Sequence, residues 1–143
     1  MSYSIYIGNA ELDTDIESLR ARYIVKEIEH PCAPEFPGKG DISGKTNGRH
    51  PSYTGMTHFA RETGLAPLFL DFLLAQHPGI CRLTNEHRLA VSAARQRWEN
   101  AHPGAQPGWR EGIDDATLAR LIWYEWWIKW ALENCTNPAI CNW

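Results

Sequence analysis

Apolar positions are densest between Ala116 and Asn134, ATLARLIWYEWWIKWALEN, where only Arg120, Glu125 and Lys129 interrupt the run from Leu118 to Leu132. Trp123, Trp126, Trp127 and Trp130 recur at i, i+3, i+4 and i+7, which is one face of a helix. Leu118, Leu121, Ile128 and Leu132 cover much of the opposite side. A helix that is apolar nearly all round is surrounded by protein. Crossing a bilayer takes about 20 predominantly apolar residues, and this stretch is too short and too charged. The pattern therefore predicts a central helix around which the rest of the chain packs.

Two period-2 stretches lie near the start. Tyr3, Ile5 and Ile7 alternate with Ser2, Ser4 and Tyr6, and Arg22 to Glu29 alternates again, as strands do. With Gly8-Asn9 as a turn, they predict a paired ribbon. A two-stranded ribbon is marginal alone, so it docks on the helices through Tyr3, Ile5, Tyr23 and Val25. Asp13 to Arg20 fits a helical turn or a loop. Further on, Thr54 or Thr57 caps a helix ending at Thr63-Gly64. Pro67 opens a helix to Gln76 carrying Leu68, Phe69, Phe72, Leu73 and Leu74. Thr84 caps one from Asn85 to about Ala101, with Leu89, Val91, Ala93, Ala94 and Trp98 inward or partly so. Asp114 opens the tryptophan helix, with Asp115 behind it. Glu125 and Lys129 mark its solvated edge.

These elements predict an α+β fold: a mostly helical domain of four helices around the Trp-rich C-terminal helix, an N-terminal two-stranded antiparallel β-ribbon and a long Pro/Gly loop. The 143 residues suit one domain, divided as ribbon (1–30), ordered loop (31–54), helical core (55–134) and C-terminal tail (135–143). A net charge of −3 and a pI near 6.0 supply no basic stripe for duplex nucleic acid. No basic segment precedes an apolar run at the start, so no signal peptide is expected. With four widely spaced cysteines, Cys32, Cys81, Cys135 and Cys141, that points to free thiols and a cytoplasmic location without membrane attachment.

Catalytic chemistry is poorly supported. Gly40-Asp41-Ile42-Ser43-Gly44-Lys45-Thr46 resembles a phosphate-binding P-loop. It has three residues between the glycines where four are needed, no strand enters it, and Asn47-Gly48-Arg49-His50-Pro51 follows where a helix should begin. His30, Cys32, His50 and His58 are metal-ligand types but lack zinc spacing, so no metal and no cofactor is expected. His77 and His102 each precede Pro-Gly at a helix end, where a histidine suits the dipole. Ser43, Ser52 and Thr54 lie near histidines without a nucleophile elbow, and nothing local would activate Cys32 or Cys81. No catalytic residue is assigned.

The loop is the better candidate. Long loops in compact domains are usually functional or disordered. Asn47, Arg49, His50, Ser52 and Tyr53 gather donors, a planar cation and an aromatic just ahead of a helix N-terminus, and His58 and Arg61 follow on that helix. Helix N-termini attract anions and the arginine fork matches phosphate or carboxylate. These seven residues are the expected ligand site. The competing structural account clamps Arg49 to a buried carboxylate and makes Tyr53 a core plug.

Tyr-Ser-Ile-Tyr-Ile-Gly-Asn-Ala at 3–10, Asn-Gly-Arg-His-Pro-Ser-Tyr at 47–53 and Leu-Ala-Arg-Leu-Ile-Trp at 118–123 resemble a group of small uncharacterised proteins of tailed bacteriophages and prophages. The resemblance implies a phage accessory protein and brings no assigned site residues. Together with the loop it suggests a non-enzymatic binder, a counter-defence factor that inhibits a host protein or sequesters a small, anionic, nucleotide-like ligand. A small hydrolase or transferase with His50 or His58 as base, a virion structural protein and a homo-oligomer remain open.

Overall fold

In a computed structural model, which describes residues 1–15, 20–36 and 44–143, strand β1 (Ile5–Asp15) carries the sheet in two halves. Its first half pairs antiparallel with β5 (Pro138–Asn142) and its second with β2 (Arg20–Val25). Strand β4 (Gly79–Arg82) joins the other edge of β5, giving the order β2-β1-β5-β4. The two-residue β3 (Gly48–Arg49) pairs with the start of β1. The fold is thus mixed, with four helices and a curled antiparallel sheet among the described residues.

Several expectations change here. The two N-terminal strands do pair, but within a five-stranded sheet rather than as a separate ribbon. Gly8-Asn9 does not turn the chain, and β1 runs straight through it. A Cβ on Gly8 would sit 3.1 Å from Val25 Cγ1, so this glycine serves close packing between strands. Residues 138–142 form an inner strand instead of a tail. Along it Ile140 faces the main core with Ile5 and Ile7, while Ala139 and Cys141 face Val25 on the other side. Of the four docking residues, Ile5 and Val25 are buried and Tyr3 is half-buried, but Tyr23 is 54% exposed.

Helix α1 (Tyr53–Glu62) is capped by Ser52, whose Oγ accepts the Gly55 N–H at 2.9 Å, so neither Thr54 nor Thr57 is the cap. Gly64, at φ +74°, ends it in the left-handed conformation that favours glycine. Helix α2 (Ala66–Leu68) passes into a π-helical turn, Phe69–Leu73, closed by Leu74 N–H to Phe69 O at 2.7 Å. The widened turn keeps Phe69, Leu73 and Leu74 inside and turns Phe72 out. Helix α3 (Asn85–Ala101) buries His87, Val91 and Ala94 and half-buries Trp98 on one face, while Leu89 and Ala93 point outward.

Helix α4 (Ala116–Asn134) is the element the tryptophan spacing predicts. Trp123, Trp127, Tyr124, Leu121 and Ile128 are fully buried, whereas Trp126 and Trp130 are half-buried beside His30. Its N-cap is Asp115, not Asp114. Asp115 Oδ1 accepts the Leu118 N–H at 2.9 Å and Oδ2 accepts Trp98 Nε1 at 2.7 Å, tying α3 to α4. Asp114 instead grips Arg110 in a fork at 2.9 and 3.0 Å. Glu125 pairs with Arg95 of α3 at 2.6 Å, leaving Lys129 exposed. All four cysteines are free thiols, and among the described residues no helix is long and apolar enough to cross a membrane.

Removing a fully buried indole leaves a large void, so Trp127→Ala should cost about 3–5 kcal/mol in a urea melt. A change under about 1 kcal/mol would place α4 on a surface. A second expectation concerns pH. His87 Nδ1 accepts the Thr84 N–H at 3.0 Å, which requires an unprotonated nitrogen, and burial pushes the His87 imidazole below its ordinary value, with Glu86 opposing. The unfolded chain therefore binds this proton more readily, and stability falls as pH drops through and below about 6.5. His87→Gln should flatten that decline; an identical pH profile would show that His87 does not contribute to it.

Candidate functional site

The loop before α1 is held by Asn47, a fully buried side chain. Its Oδ1 accepts the Ile28 N–H at 2.8 Å, and its Nδ2 donates to Ile7 O and Lys26 O, both at 2.9 Å. Both amide hydrogens are therefore spent on backbone, and Asn47 braces β3 against its neighbours. Gly48 then passes beneath Tyr6, where a Cβ would lie 2.5 Å from Tyr6 Cε1. Only glycine allows that approach. The next residue, Arg49, pairs with Ile5 and enters the interior.

Arg49 is only 8% exposed. Its guanidinium carbon lies 5.7 Å from the ring centroid of Phe36, 5.9 Å from Trp109 and 5.5 Å from both Trp123 and Tyr124. Each distance is within the range of a cation–π contact. Among the described residues its guanidinium makes no hydrogen bond and no ion pair, and Nη1 is buried without a partner. A second cation, Arg120 on α4, lies 5.5 Å over Trp109 and likewise has no carboxylate partner among the described residues. Burial pushes the Arg49 guanidinium below its usual value; Arg120 adds to that shift and the Tyr124 hydroxyl opposes it. Burial raises the Tyr124 hydroxyl, which Arg49 and Arg120 draw back. The sum is two cations and an aromatic hydroxyl with no buried acid beside them among the described residues.

These groups open onto a cavity of about 250 Å³, walled by Arg49, Arg120 and Tyr124 with Ser52, His58 and Glu62 from the start and end of α1. His58 Nε2 meets Glu62 Oε2 at 3.0 Å, and Glu62 Oε1 accepts the Thr117 hydroxyl at 2.5 Å. Of the seven residues expected from sequence, the cavity brings together Arg49, Ser52 and His58. Asn47 is engaged behind it. His50 turns to Ser4, Nδ1 to Oγ 3.1 Å, and to the edge of Tyr6. Tyr53 packs with Tyr3 and His77, and Arg61 is exposed in the last turn of α1. Arg120, Tyr124 and Glu62 were missed. The signal for Arg120 was its place as one of three charges in the otherwise apolar run from Leu118 to Leu132.

The other chemistries find little support. His30 Nδ1 accepts the Cys32 N–H at 3.0 Å, and no group of three or more metal-ligand side chains occurs among the described residues. Ser4 and His50 form an exposed serine–histidine pair without an acid to orient the ring among the described residues. Burial raises the thiols of Cys81, Cys135 and Cys141, the opposite of activation. Gly40 to Ser43 of the P-loop look-alike lie outside the described residues. Comparison with protein families, curated proteins and solved structures finds no match to this chain.

The environment of Arg49 makes a direct expectation. A buried charge without a counter-ion is costly, and well-packed apolar replacements of buried charges are often neutral or stabilising by about 1–4 kcal/mol. Arg49→Met, which keeps length and can still touch the rings, should leave the melting temperature unchanged or raise it. A loss of about 3–5 kcal/mol would instead reveal an acidic partner, as when one member of a buried ion pair is removed.

Proposed function

We propose that this protein is a non-enzymatic receptor for a small anion, held in the cavity between the start of α1 and the face of α4. One observation carries the reading: Arg49, nine-tenths buried, lines the cavity and makes no hydrogen bond through its guanidinium among the described residues, and Arg120 adds a second charge that no carboxylate answers among the described residues. Buried polar groups are nearly always satisfied, and an anion would satisfy this one with charge-assisted hydrogen bonds. The start of α1, with Ser52 and Gly55 on the wall, adds the positive end of a helix dipole. If the chain is phage-encoded, as its resemblance implies, such a receptor would act in counter-defence by sequestering a host small molecule.

A hydrolytic reading draws on the His58–Glu62 pair in the same wall. Against it, Ser52 Oγ is occupied as the α1 cap, and no hydroxyl or thiol on that wall is hydrogen-bonded to a histidine among the described residues. Binding is the simpler use of these groups.

A ligand that binds only the folded state stabilises it by about 2.7 kcal/mol at a hundred times its Kd. Phosphate, sulfate or acetate, tested against chloride at equal ionic strength, should include at least one anion that raises the melting temperature by several degrees. That gain should vanish in Arg49→Met and in Arg120→Gln, which separates site binding from the general stabilising effect of sulfate and phosphate. Equal gains in parent and variants for every anion would refute the receptor.

A further inference from the structure

The two arginines also constrain the ligand's charge and shape. A carboxylate brings one negative charge and two oxygens. Arg49 and Arg120 present two charges and up to five N–H donors each, with none of Arg49's donors engaged by protein among the described residues. A monoanion leaves one of these cations unanswered in a site where burial is already penalised. A phosphoryl group supplies three terminal acceptor oxygens and between about one and a half and two negative charges near pH 7, matching both forks.

The far wall is different. Glu62 accepts from His58 and Thr117, yet each carboxylate oxygen keeps a second lone pair. Glu62 lines the same cavity as Arg49 and Arg120, so the cavity offers an accepting group as well as two cations. At about 250 Å³ it has room for on the order of eight waters at about 30 Å³ each, well beyond one inorganic phosphate.

Building on the anion-receptor reading, we propose that the ligand is a phosphomonoester with a hydroxyl-bearing organic group. Its phosphoryl oxygens contact Arg49 and Arg120, and a hydroxyl donates to Glu62. The groups facing it are Arg49 from β3, His58 and Glu62 from α1, and Arg120 and Tyr124 from α4.

The test is isothermal titration calorimetry at fixed ionic strength with glycerol 3-phosphate, inorganic phosphate, sulfate and acetate. Glycerol 3-phosphate should bind at least about ten-fold more tightly than acetate, a difference of about 1.4 kcal/mol, and more tightly than inorganic phosphate. Its affinity should fall about four-fold from pH 7.5 to 5.5, as a second ionisation near 6 removes the dianion. Sulfate, which stays a dianion, should not weaken over that range, so it controls for any effect of pH on the protein. Arg120→Gln, at a half-buried position, should abolish binding even if Arg49 variants fold poorly. Glu62→Gln should remove the advantage of the ester over inorganic phosphate.

Acetate binding as tightly as glycerol 3-phosphate would overturn the phosphoryl assignment and leave the anion receptor standing. Equal affinity for inorganic phosphate and the ester would overturn the organic group and its contact with Glu62. No saturable binding by any of the four, or binding unchanged in Arg120→Gln, would overturn both the assignment and the receptor.

Discussion

The guanidinium of Arg49 in its cluster of rings is the contact on which the arrangement of this molecule turns. Phe36 comes from the segment after β2, Trp109 from the α3–α4 connection, and Trp123 and Tyr124 from α4. One side chain therefore joins β3 to three other parts of the chain. Taking the ion out of water costs several kcal/mol. Four cation–π contacts of about 0.5–2 kcal/mol each are of the same size, so the rings can hold the charge in place. What they do not provide is an acceptor. Ring faces answer the charge of a guanidinium and leave its N–H groups unbonded.

That position is reached only because the sheet closes as it does. Arg49 lies opposite Ile5 at the start of β1, and the same stretch of β1 pairs on its other side with β5. Residues 5 and 142 pair across the sheet although they are far apart along the chain. Such contacts require large loops to close. Asn47 contributes by fastening β1 and the stretch after β2 with one amide, and Gly48 supplies the clearance under Tyr6. A side chain at 48 would push β3 off β1 and move Arg49 out of its cage.

The sequence showed the strong periodic signals and hid the short ones. Nineteen residues of unbroken helical pattern gave α4 its full extent, because length and the tryptophan spacing allow no other element. Pro138 to Asn142 and Gly79 to Arg82 are strands of five and four residues, and in β5 every residue after the proline is buried. Such a strand has no polar alternation to read. Its partners also lie far away in sequence, so a central strand resembled a tail. The π turn at Phe69 was hidden for a related reason: propensity sees a helix, and only the packing decides where an extra residue shifts the face. At the site, the loop composition pointed to Arg49, Ser52 and His58. It also pointed to His50 and Tyr53, which face elsewhere, since residue type carries no direction. Arg120 belonged to a helix that the same reasoning had assigned to the core.

All three buried side-chain polar atoms without partners among the described residues, Arg49 Nη1 and the indole nitrogens of Trp123 and Trp127, are donors. Orphan donors and acceptors scattered through an interior would suggest slack packing. Two of these three, on Arg49 and Trp123, belong to residues in direct contact. A fold selected for stability alone would have little reason to keep a charged donor there, since an apolar residue of similar length would avoid the desolvation. Local rules tend to be broken where function needs them broken. The proposed anion would bring the oxygen and negative charge that the guanidinium of Arg49 lacks among the described residues.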